Sequence, residues 1–550
     1  MRSTSAPLTP WLTGAVVSLV LLAGVVLDID LPGVYMDAVN PDYLVVSILN
    51  PGHRIEAWVL PGNMLAGRFP VLTSLYHGTQ QLWLGLPVFA LLGTTVATLR
   101  LVHGLFACAV LICATMLLRR AGLKEIAVAA VGIAVAADPS FVFAFRTPSY
   151  ITLAPVAWLL LSFLALARAG GTASPRRWLL ASGAAYGLAV FGYFIYLFYL
   201  PAVLFAVLAW PAWSAQPGAL PARWRRLLPW AVGAAAGAIA YPIGYALIAW
   251  SLGSLGGLVD YVRDTQQALG VMRSPLGFAG RVANGWHMVT SVTHNWWHHS
   301  MMFGVQASVP GAQAKTLLLT AAPIALWLAA EVRRTAGIYL RVTVACGVSF
   351  FLLSLVFGNR LGGHHYVSLL VLGYLGLALG IAALVGRRGD TPPFPRSAWV
   401  VPPMVLLLGL GLMGQADVRA RLRETGGVGL MSDAINRFAA DARSGHAQDF
   451  HYFPDWGLAL PFAFLTRGDI DHAQAADAKE ARALLCQGRD VRLALIGPER
   501  GRRLAEWTRA LDWPDPVVDA YRQRDGVVVI EVATYRAGLP GSSGERCRPR

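Results

Sequence analysis

The chain has little charge. Of its 550 residues, 14% are Asp, Glu, Lys or Arg and 56% are hydrophobic. Soluble domains carry about 25% charged residues, so this composition excludes an ordinary soluble protein. Long apolar runs and a mean hydropathy of +0.53 predict instead an α-helical polytopic membrane protein.

Cysteine is also scarce. The five cysteines form no CxxC pair and no Cys/His zinc spacing, which excludes a disulfide scaffold and a zinc module. Glycine-rich stretches such as GSLGG (253–257) lack the Lys and the strand of a phosphate loop. We therefore expect no cofactor. The one place where a divalent metal site stays possible is HNWWHH, where His294 and His298 are four residues apart.

Eleven apolar segments predict membrane helices, and we expect the first of them to stay as a membrane anchor. The segments are 11–27, 97–118, 125–137, 148–167, 178–192, 195–211, 228–250, 315–331, 339–357, 366–386 and 398–414. The run 178–211 could be one helix, but we divide it at residues 191–193, because a single helix would invert every later loop.

The charge distribution predicts the orientation. Residues 1–414 carry 25 Lys and Arg against 11 Asp and Glu, and the basic residues recur in alternate loops near 120, 176, 225, 334 and 388. By the positive-inside rule these loops and the N-terminus are cytoplasmic. The long loops 28–96 and 251–314 then lie on the outer face, where short apolar stretches would rest on the membrane.

The chain is expected to have two domains. Residues 1–414 form the membrane domain, with the outer first loop 28–96. Residues 415–550 contain no spanning segment, and their 20 basic residues balance 19 acidic ones. Predicted strands at 491–497, 517–523 and 527–534, with a helix at 498–511, indicate a small α/β domain outside the cytoplasm.

Polar residues gather on the predicted outer face. They are Asp37, Asp42, Asp138, Arg146, His294, His298, His299, Arg360, His364 and His365. Acids, arginines and histidines on one membrane face are typical of a site with acid/base chemistry on an anionic substrate. Each residue alone also fits an ordinary role: Asp37 in a turn, Asp42 as a helix cap, and the arginines as residues reaching the interface.

The order of motifs resembles the GT-C superfamily of polyprenyl-phosphate-dependent glycosyltransferases, particularly bacterial members akin to protein O-mannosyltransferases and the lipid A aminoarabinose transferase. An acidic stretch (Asp37–Asp42) follows the first helix. In YHGTQQLWLGLPVFALLGTTVATLRLVHGLF (76–106), Leu86-Pro87, Leu92-Gly93 and Leu99-Arg100 fit the family pattern. Arg146 with Pro148, and the HHY at 364–366, resemble later elements. Two departures are Ala38, where the family often has Glu, and His77-Gly78, near its usual double proline.

The resemblance implies a glycosyltransferase of the bacterial inner membrane. It would move a sugar from undecaprenyl phosphate to an acceptor hydroxyl of a glycan, lipid or protein in the cell envelope, at a periplasmic active site. Asp37 or Asp42 would be the catalytic base. Arg146, Arg360, His364, His365, Asp138 and His77 are the expected substrate-binding residues. The alternatives are a lipid-linked glycan polymerase or ligase, and a non-catalytic transporter or scaffold, although the charges lie at helix ends rather than at mid-membrane.

Overall fold

The structure is a computed structural model that describes residues 8–52, 62, 64–170, 172, 174–209, 223–269, 275–307, 309–385, 396–455, 457–474, 477–537 and 547. Residues 53–61 and 63 of the loop 28–96 and the basic residues 387 and 388 lie outside this set. In the described part, six helices are long and apolar enough to cross a membrane, or eight if two bent pairs count as spans. The fold class is confirmed, whereas the count of eleven spans stays a prediction.

The first outer loop is folded between two long helices. Thr95 caps the second of these, because its Oγ1 accepts a hydrogen bond from the Thr98 backbone N–H at 3.1 Å. Strands β1 and β2 pair antiparallel, as do β3 and β4. The elements are α1 Leu8–Val26, 3₁₀ turns Met36–Ala38 and Asp42–Leu44, α2 Val45–Leu49, β1 Met64–Leu65, β2 Phe69–Pro70, β3 Leu72–Ser74, β4 His77–Gly78, α3 Gln80–Leu92 and α4 Val96–Arg120.

The next stretch confirms the predicted break near residue 192. Tyr193 is extended (φ −156°, ψ 125°) and separates two helical segments. Helices α9 and α11 approach closely through glycines four residues apart, since a Cβ on Gly183 would lie 1.9 Å from the Trp230 carbonyl oxygen. The elements are α5 Glu125–Ala136, α6 Pro139–Val142, 3₁₀ turn Phe143–Arg146, α7 Tyr150–Leu153, α8 Val156–Ala169, α9 Pro175–Gly192, 3₁₀ turn Phe194–Tyr199, α10 Leu200–Ala209, 3₁₀ turn Arg223–Arg226, α11 Leu227–Gly237 and α12 Ala240–Ser251.

The second outer loop contains three helices before the chain returns to the bundle. The last bundle helix continues past the predicted domain boundary at 414 to Thr425. The elements are α13 Leu255–Leu269, α14 Phe278–Thr293, α15 Trp296–Phe303, α16 Ala312–Leu319, α17 Ala321–Val332, α18 Ile338–Ser354, 3₁₀ turn Leu355–Arg360, α19 Gly363–Tyr366, α20 Ser368–Val385, 3₁₀ turn Arg396–Val400 and α21 Val401–Thr425.

The C-terminal region has the predicted α/β elements around a five-stranded sheet of order β6-β5-β7-β9-β8. The pairs β5–β6 and β5–β7 are parallel, whereas β7–β9 and β8–β9 are antiparallel. The elements are 3₁₀ turn Gly429–Met431, α22 Ala434–Gly445, β5 Phe450–Tyr452, α23 Ala459–Leu465, β6 His472–Ala473, α24 Ala478–Cys486, β7 Val491–Ile496, α25 Arg500–Leu511, β8 Val517–Arg522 and β9 Val528–Tyr535.

A disulfide joins Cys486 to Cys547. The sequence had given no reason to pair these two residues, which are 61 positions apart. The bridge closes one side of a second, smaller apolar core that includes Leu485, Leu493 and Trp513. Such bridges persist mainly in oxidising compartments.

Regions far apart in sequence meet at one end of the bundle. The Met36 N–H donates to the Gly457 carbonyl at 3.0 Å, and the Val428 N–H donates to the Met302 carbonyl at 2.8 Å. Asn284 Nδ2 donates to the Gly358 carbonyl at 3.1 Å. Both outer loops, the turn before α19 and the C-terminal region therefore share one side, which holds all the candidate site residues.

Candidate active site

Asp37 lies in the 3₁₀ turn Met36–Ala38 at this end of the bundle, which the loop charges predict to be the outer one. Its side chain is partly buried and is hydrogen-bonded by Asn40. Asn40 is itself oriented, because its Oδ1 accepts a hydrogen bond from Thr73 Oγ1 at 2.6 Å. Burial raises the pKa of the Asp37 carboxyl, and the Asn40 hydrogen bond opposes that rise. A carboxylate with a raised pKa is better matched to proton abstraction near neutral pH.

Three tyrosines lie near this carboxylate. Asp37 is close enough to Tyr43, Tyr76 and Tyr193 to interact electrostatically with each hydroxyl. Burial, with the Asp37 charge as a smaller cause, raises the pKa of Tyr43 and Tyr76. These phenols therefore stay protonated near Asp37.

A continuous run of rings leads away from Asp37. The ring centroids of His77 and Tyr193 are 4.0 Å apart, and those of Tyr193 and His365 are 5.7 Å apart. His365 and His364 follow at 3.8 Å, and His364 and Trp297 at 5.5 Å. We call this set, together with Asp37 and Tyr76, the outer cluster. It joins the first loop, the break after α9, the second outer loop and α19.

Several polar atoms in and beside the outer cluster are buried and lack a hydrogen-bond partner among the described residues: His77 Nε2, Trp297 Nε1 and His298 Nδ1. Burial lowers the pKa of His77 to about 3 and that of His298 to about 3, with the charges of His365 and Lys315 as the lesser causes. Both rings are therefore neutral. Each has one nitrogen free to bond a ligand, which is what recognition of a polyhydroxylated molecule requires.

The two predicted outer arginines have different surroundings. Arg360 ends the turn before α19, is exposed, and its guanidinium makes no hydrogen bond within the described residues. Arg146 is buried and donates to five backbone carbonyls, those of Gly24, Val25, Leu27, Asp28 and Leu31. It thereby satisfies carbonyls at the C-terminal end of α1 and in the turn beyond. The outer cluster does not include it.

Asp138 and Asp42 also form hydrogen bonds within the protein, although Asp42 Oδ1 has no partner among the described residues. Asp138 caps α6 through the Ser140 N–H at 2.8 Å, and accepts hydrogen bonds from Lys315 Nζ and the Tyr374 hydroxyl, both at 2.8 Å. Asp42 Oδ2 contacts His103 Nε2 at 3.0 Å and accepts from the Tyr150 hydroxyl. The predicted role of Asp42 as a cap is absent, since no side-chain cap bond forms at the turn Asp42–Leu44.

The proposed metal pair is divided by a helix break. Asn295 adopts φ 63° between α14 and α15, so His294 and His298 do not share one helix. His298 Nε2 instead contacts Ser149 Oγ at 3.1 Å. In the described ranges, no group of three or more His, Cys, Asp or Glu is placed to hold a metal ion.

Sequence reasoning missed Tyr193 and Trp297 as members of the site. Tyr193 lies at the helix break that the sequence predicted. A tyrosine at such a break is the sequence feature that could have indicated its place in the site. Trp297 lies in HNWWHH, which drew attention for its histidines alone. His103 and Lys315 were also missed, although each is an ionisable residue beside or within an apolar run.

The fold resembles that of solved structures with which the chain shares little sequence. ArnT from Cupriavidus metallidurans, solved bound to undecaprenyl phosphate, superposes with a TM-score of 0.54 at 14% identity, over 98% of this chain and 99% of that one. Its apo state gives 0.53 at 16% identity, over 98% and 100%. The archaeal oligosaccharyltransferase AglB from Archaeoglobus fulgidus gives 0.47 at 13% identity, over 98% and 76%, too low to support further argument. No protein-family model and no curated protein sequence matches the chain.

Proposed function

We propose that the chain is a membrane glycosyltransferase that moves a sugar from a polyprenyl-phosphate donor, of the undecaprenyl type, to an acceptor hydroxyl. The observation that carries this proposal is Asp37: a partly buried carboxylate with a raised pKa, hydrogen-bonded by Asn40 and beside the rings of the outer cluster, in a bundle with the fold of ArnT. That ArnT, with the same fold, was solved with undecaprenyl phosphate supports the class of donor.

In the proposed reaction, Asp37 takes the proton of the acceptor O–H. The oxygen then attacks the anomeric carbon, and the bond from that carbon to the phosphate oxygen breaks. Negative charge grows on the leaving lipid phosphate, so its stabilisation matters most. Arg360 has a free guanidinium for this role, and His364 follows it in the next turn. His77 and His365 would contact sugar hydroxyls.

Arg146 and Asp138 have a lesser part in this proposal than the sequence predicted. The two terminal nitrogens of Arg146 are already bonded to backbone carbonyls, and the two carboxylate oxygens of Asp138 to Lys315 and Tyr374, whereas Arg146 Nε has no partner among the described residues. We therefore assign them to holding the outer ends of the helices in place. Direct contact of either residue with substrate stays an untested prediction.

We place the active site on the periplasmic side of the bacterial inner membrane. The outer loops and the C-terminal region share one side, and the arginine-rich loops predict that the other side is cytoplasmic. The Cys486–Cys547 bridge independently favours an oxidising compartment for the C-terminal region. In intact cells, a membrane-impermeant maleimide should label Cys486 or Cys547 only after reduction. Labelling without reduction, or only after lysis, would contradict this placement.

The decisive experiment is Asp37→Asn, assayed for sugar transfer in reconstituted membranes. Asparagine keeps the shape and removes the proton acceptor, so transfer should fall by about two to four orders of magnitude while donor binding persists. Asp30→Asn is the matched control, because Asp30 is exposed on the same loop and forms no side-chain hydrogen bond within the described residues. Mass analysis of envelope glycans with and without the gene identifies the product.

Two outcomes would overturn the assignment. If Asp42→Asn is inactive and Asp37→Asn active, the base is Asp42. If both variants transfer at the normal rate, the chain is not a transferase of this kind, and a scaffold or transporter becomes the better hypothesis. A polymerase or ligase would still need a base at Asp37 and would differ in the product, which the mass analysis reports.

A further inference from the structure

The two contacts of the His103 ring limit the protonation states that it can adopt. His103 lies on α4 and is 2% exposed, and Asp42 and Tyr150 are each 0% exposed. Its Nδ1 is 3.0 Å from the Phe145 carbonyl oxygen, and its Nε2 is 3.0 Å from Asp42 Oδ2. A carbonyl oxygen only accepts, so Nδ1 carries a hydrogen. Since a neutral imidazole has a single N–H, the Nε2 contact requires a second proton.

That second proton belongs on the imidazole. A free carboxyl is far more acidic than a free imidazolium, by about 2.5 pKa units. Asp42 Oδ2 also accepts the Tyr150 O–H, which favours the ionised carboxylate. The Tyr150 ring stacks on the His103 ring at 3.5 Å with 19° between their planes, a geometry that favours a cation over an aromatic face.

Other charges near His103 are engaged elsewhere. Arg100, three residues earlier on α4, donates to the Leu31 and Pro32 carbonyls. Arg146, at the end of the turn that supplies the Phe145 carbonyl, donates to carbonyls of α1 and the turn beyond. Asp42 Oδ1 has no partner in the described part of the chain. His103 is therefore the counter-charge of Asp42.

We propose that His103 is a resident imidazolium that pairs with Asp42 and makes Asp42 a positioning residue rather than a proton acceptor. The ion pair fixes the turn Asp42–Leu44 to α4 and α7, and that turn follows the one bearing Asp37. A carboxylate already paired with a cation and a phenol is a poor base. Asp37 and Asp42 thereby have different roles. The role of Asp37 in this inference rests on the proposed function.

The first test is spectroscopic and needs no activity. The chain has 12 histidines; with their ring nitrogens labelled with ¹⁵N, the full-length protein in lipid is compared with Asp42→Asn and His103→Gln at pH 8. We expect one histidine with both nitrogens protonated, lost in either variant. In Asp42→Asn the amide can donate to a neutral Nε2 and to the Tyr150 oxygen, so this variant should fold even if His103→Gln does not. A His103 ring with one unprotonated nitrogen in the unmodified chain overturns the proposal.

The second test uses transfer. Asp42→Asn should keep at least about a tenth of the activity, because the hydrogen bonds survive without the charges. His103→Gln should lose more, because it leaves a buried carboxylate unpaired. The double variant should regain part of that loss. If Asp42→Asn falls as far as Asp37→Asn, Asp42 takes part in the chemistry and the positioning role is wrong. If the unmodified chain shows no transfer, the proposed function fails while the spectroscopic result still decides the ion pair.

Discussion

The polar residues at the predicted outer end of the molecule form two regions that differ in their hydrogen bonding. In one, around Asp138, Arg146 and Asp42, most polar atoms are bonded within the protein, and Asp42 Oδ1 and Arg146 Nε are the exceptions for these three residues. In the other, the outer cluster and the adjoining Arg360 and His298, buried or exposed polar atoms have no partner in the described residues. Residue type does not separate the regions, since each contains an acid, an arginine and histidine. The proportion of polar atoms that are already hydrogen-bonded separates them, and a ligand is expected in the region where more polar atoms are unbonded.

The strongest test of the closed region is Asp138→Asn. It leaves the Lys315 ammonium buried without its counter-charge, so the free energy of unfolding should fall by about 3–5 kcal/mol. The Asp138→Leu/Lys315→Met double variant, which removes both charges, should lose much less. Thermal unfolding in detergent measures both. An Asp138→Asn variant as stable as the unmodified protein, but unable to bind donor, would move Asp138 into the binding region.

The two arginines offer a more graded comparison. Arg146→Gln should destabilise the protein by roughly 2–3 kcal/mol, because charge-assisted hydrogen bonds to backbone carbonyls are lost. Arg360→Gln should leave stability unchanged and weaken donor use by about tenfold, as expected for one lost phosphate contact. Arg177→Gln, an exposed residue in a predicted cytoplasmic loop, should change neither. Thermal unfolding and donor titration are measured on all three. Weakened donor use in a stable Arg146→Gln variant would contradict the division.

The sequence predicted the architecture better than the site. Hydrophobic runs and turn residues are local features, so the helices, the break at residue 192 and the strands 491–497, 517–523 and 527–534 were accessible. Which polar groups meet depends on long-range packing. No local feature of the sequence distinguishes Arg146, which is hydrogen-bonded to carbonyls of α1, from Arg360, whose guanidinium makes no hydrogen bond within the described residues. Nor does any local feature pair Lys315 with Asp138, which are 177 positions apart. The Cys486–Cys547 bridge was hidden for the same reason.

The smallest expected effect concerns the pKa of Asp37 and its hydrogen bond from Asn40. Burial raises this pKa above its usual value near 4, and the Asn40 hydrogen bond lowers it. A general base works deprotonated, so kcat/KM should rise with pH through the raised pKa. Asn40→Ala removes the hydrogen bond that favours the carboxylate, and the acid limb should move to higher pH by about 0.5–1 unit. Thr73→Val removes the hydrogen bond that orients the Asn40 amide but leaves Asn40 in place. The acid limb should therefore shift in the same direction by a smaller amount.

Stability should change in the opposite sense. A raised pKa means that the folded state holds the Asp37 proton more tightly than the unfolded chain. The stability from this group is therefore fully present below its unfolded pKa and is lost as pH rises through the folded one. As pH rises and Asp37 ionises, activity should therefore increase while the free energy of unfolding decreases. This is expected of a carboxylate whose environment favours catalysis rather than stability. A pH profile of thermal unfolding for the unmodified chain and Asp37→Asn isolates this contribution. An acid limb that stays in place or moves to lower pH in Asn40→Ala would mean that another group limits the rate.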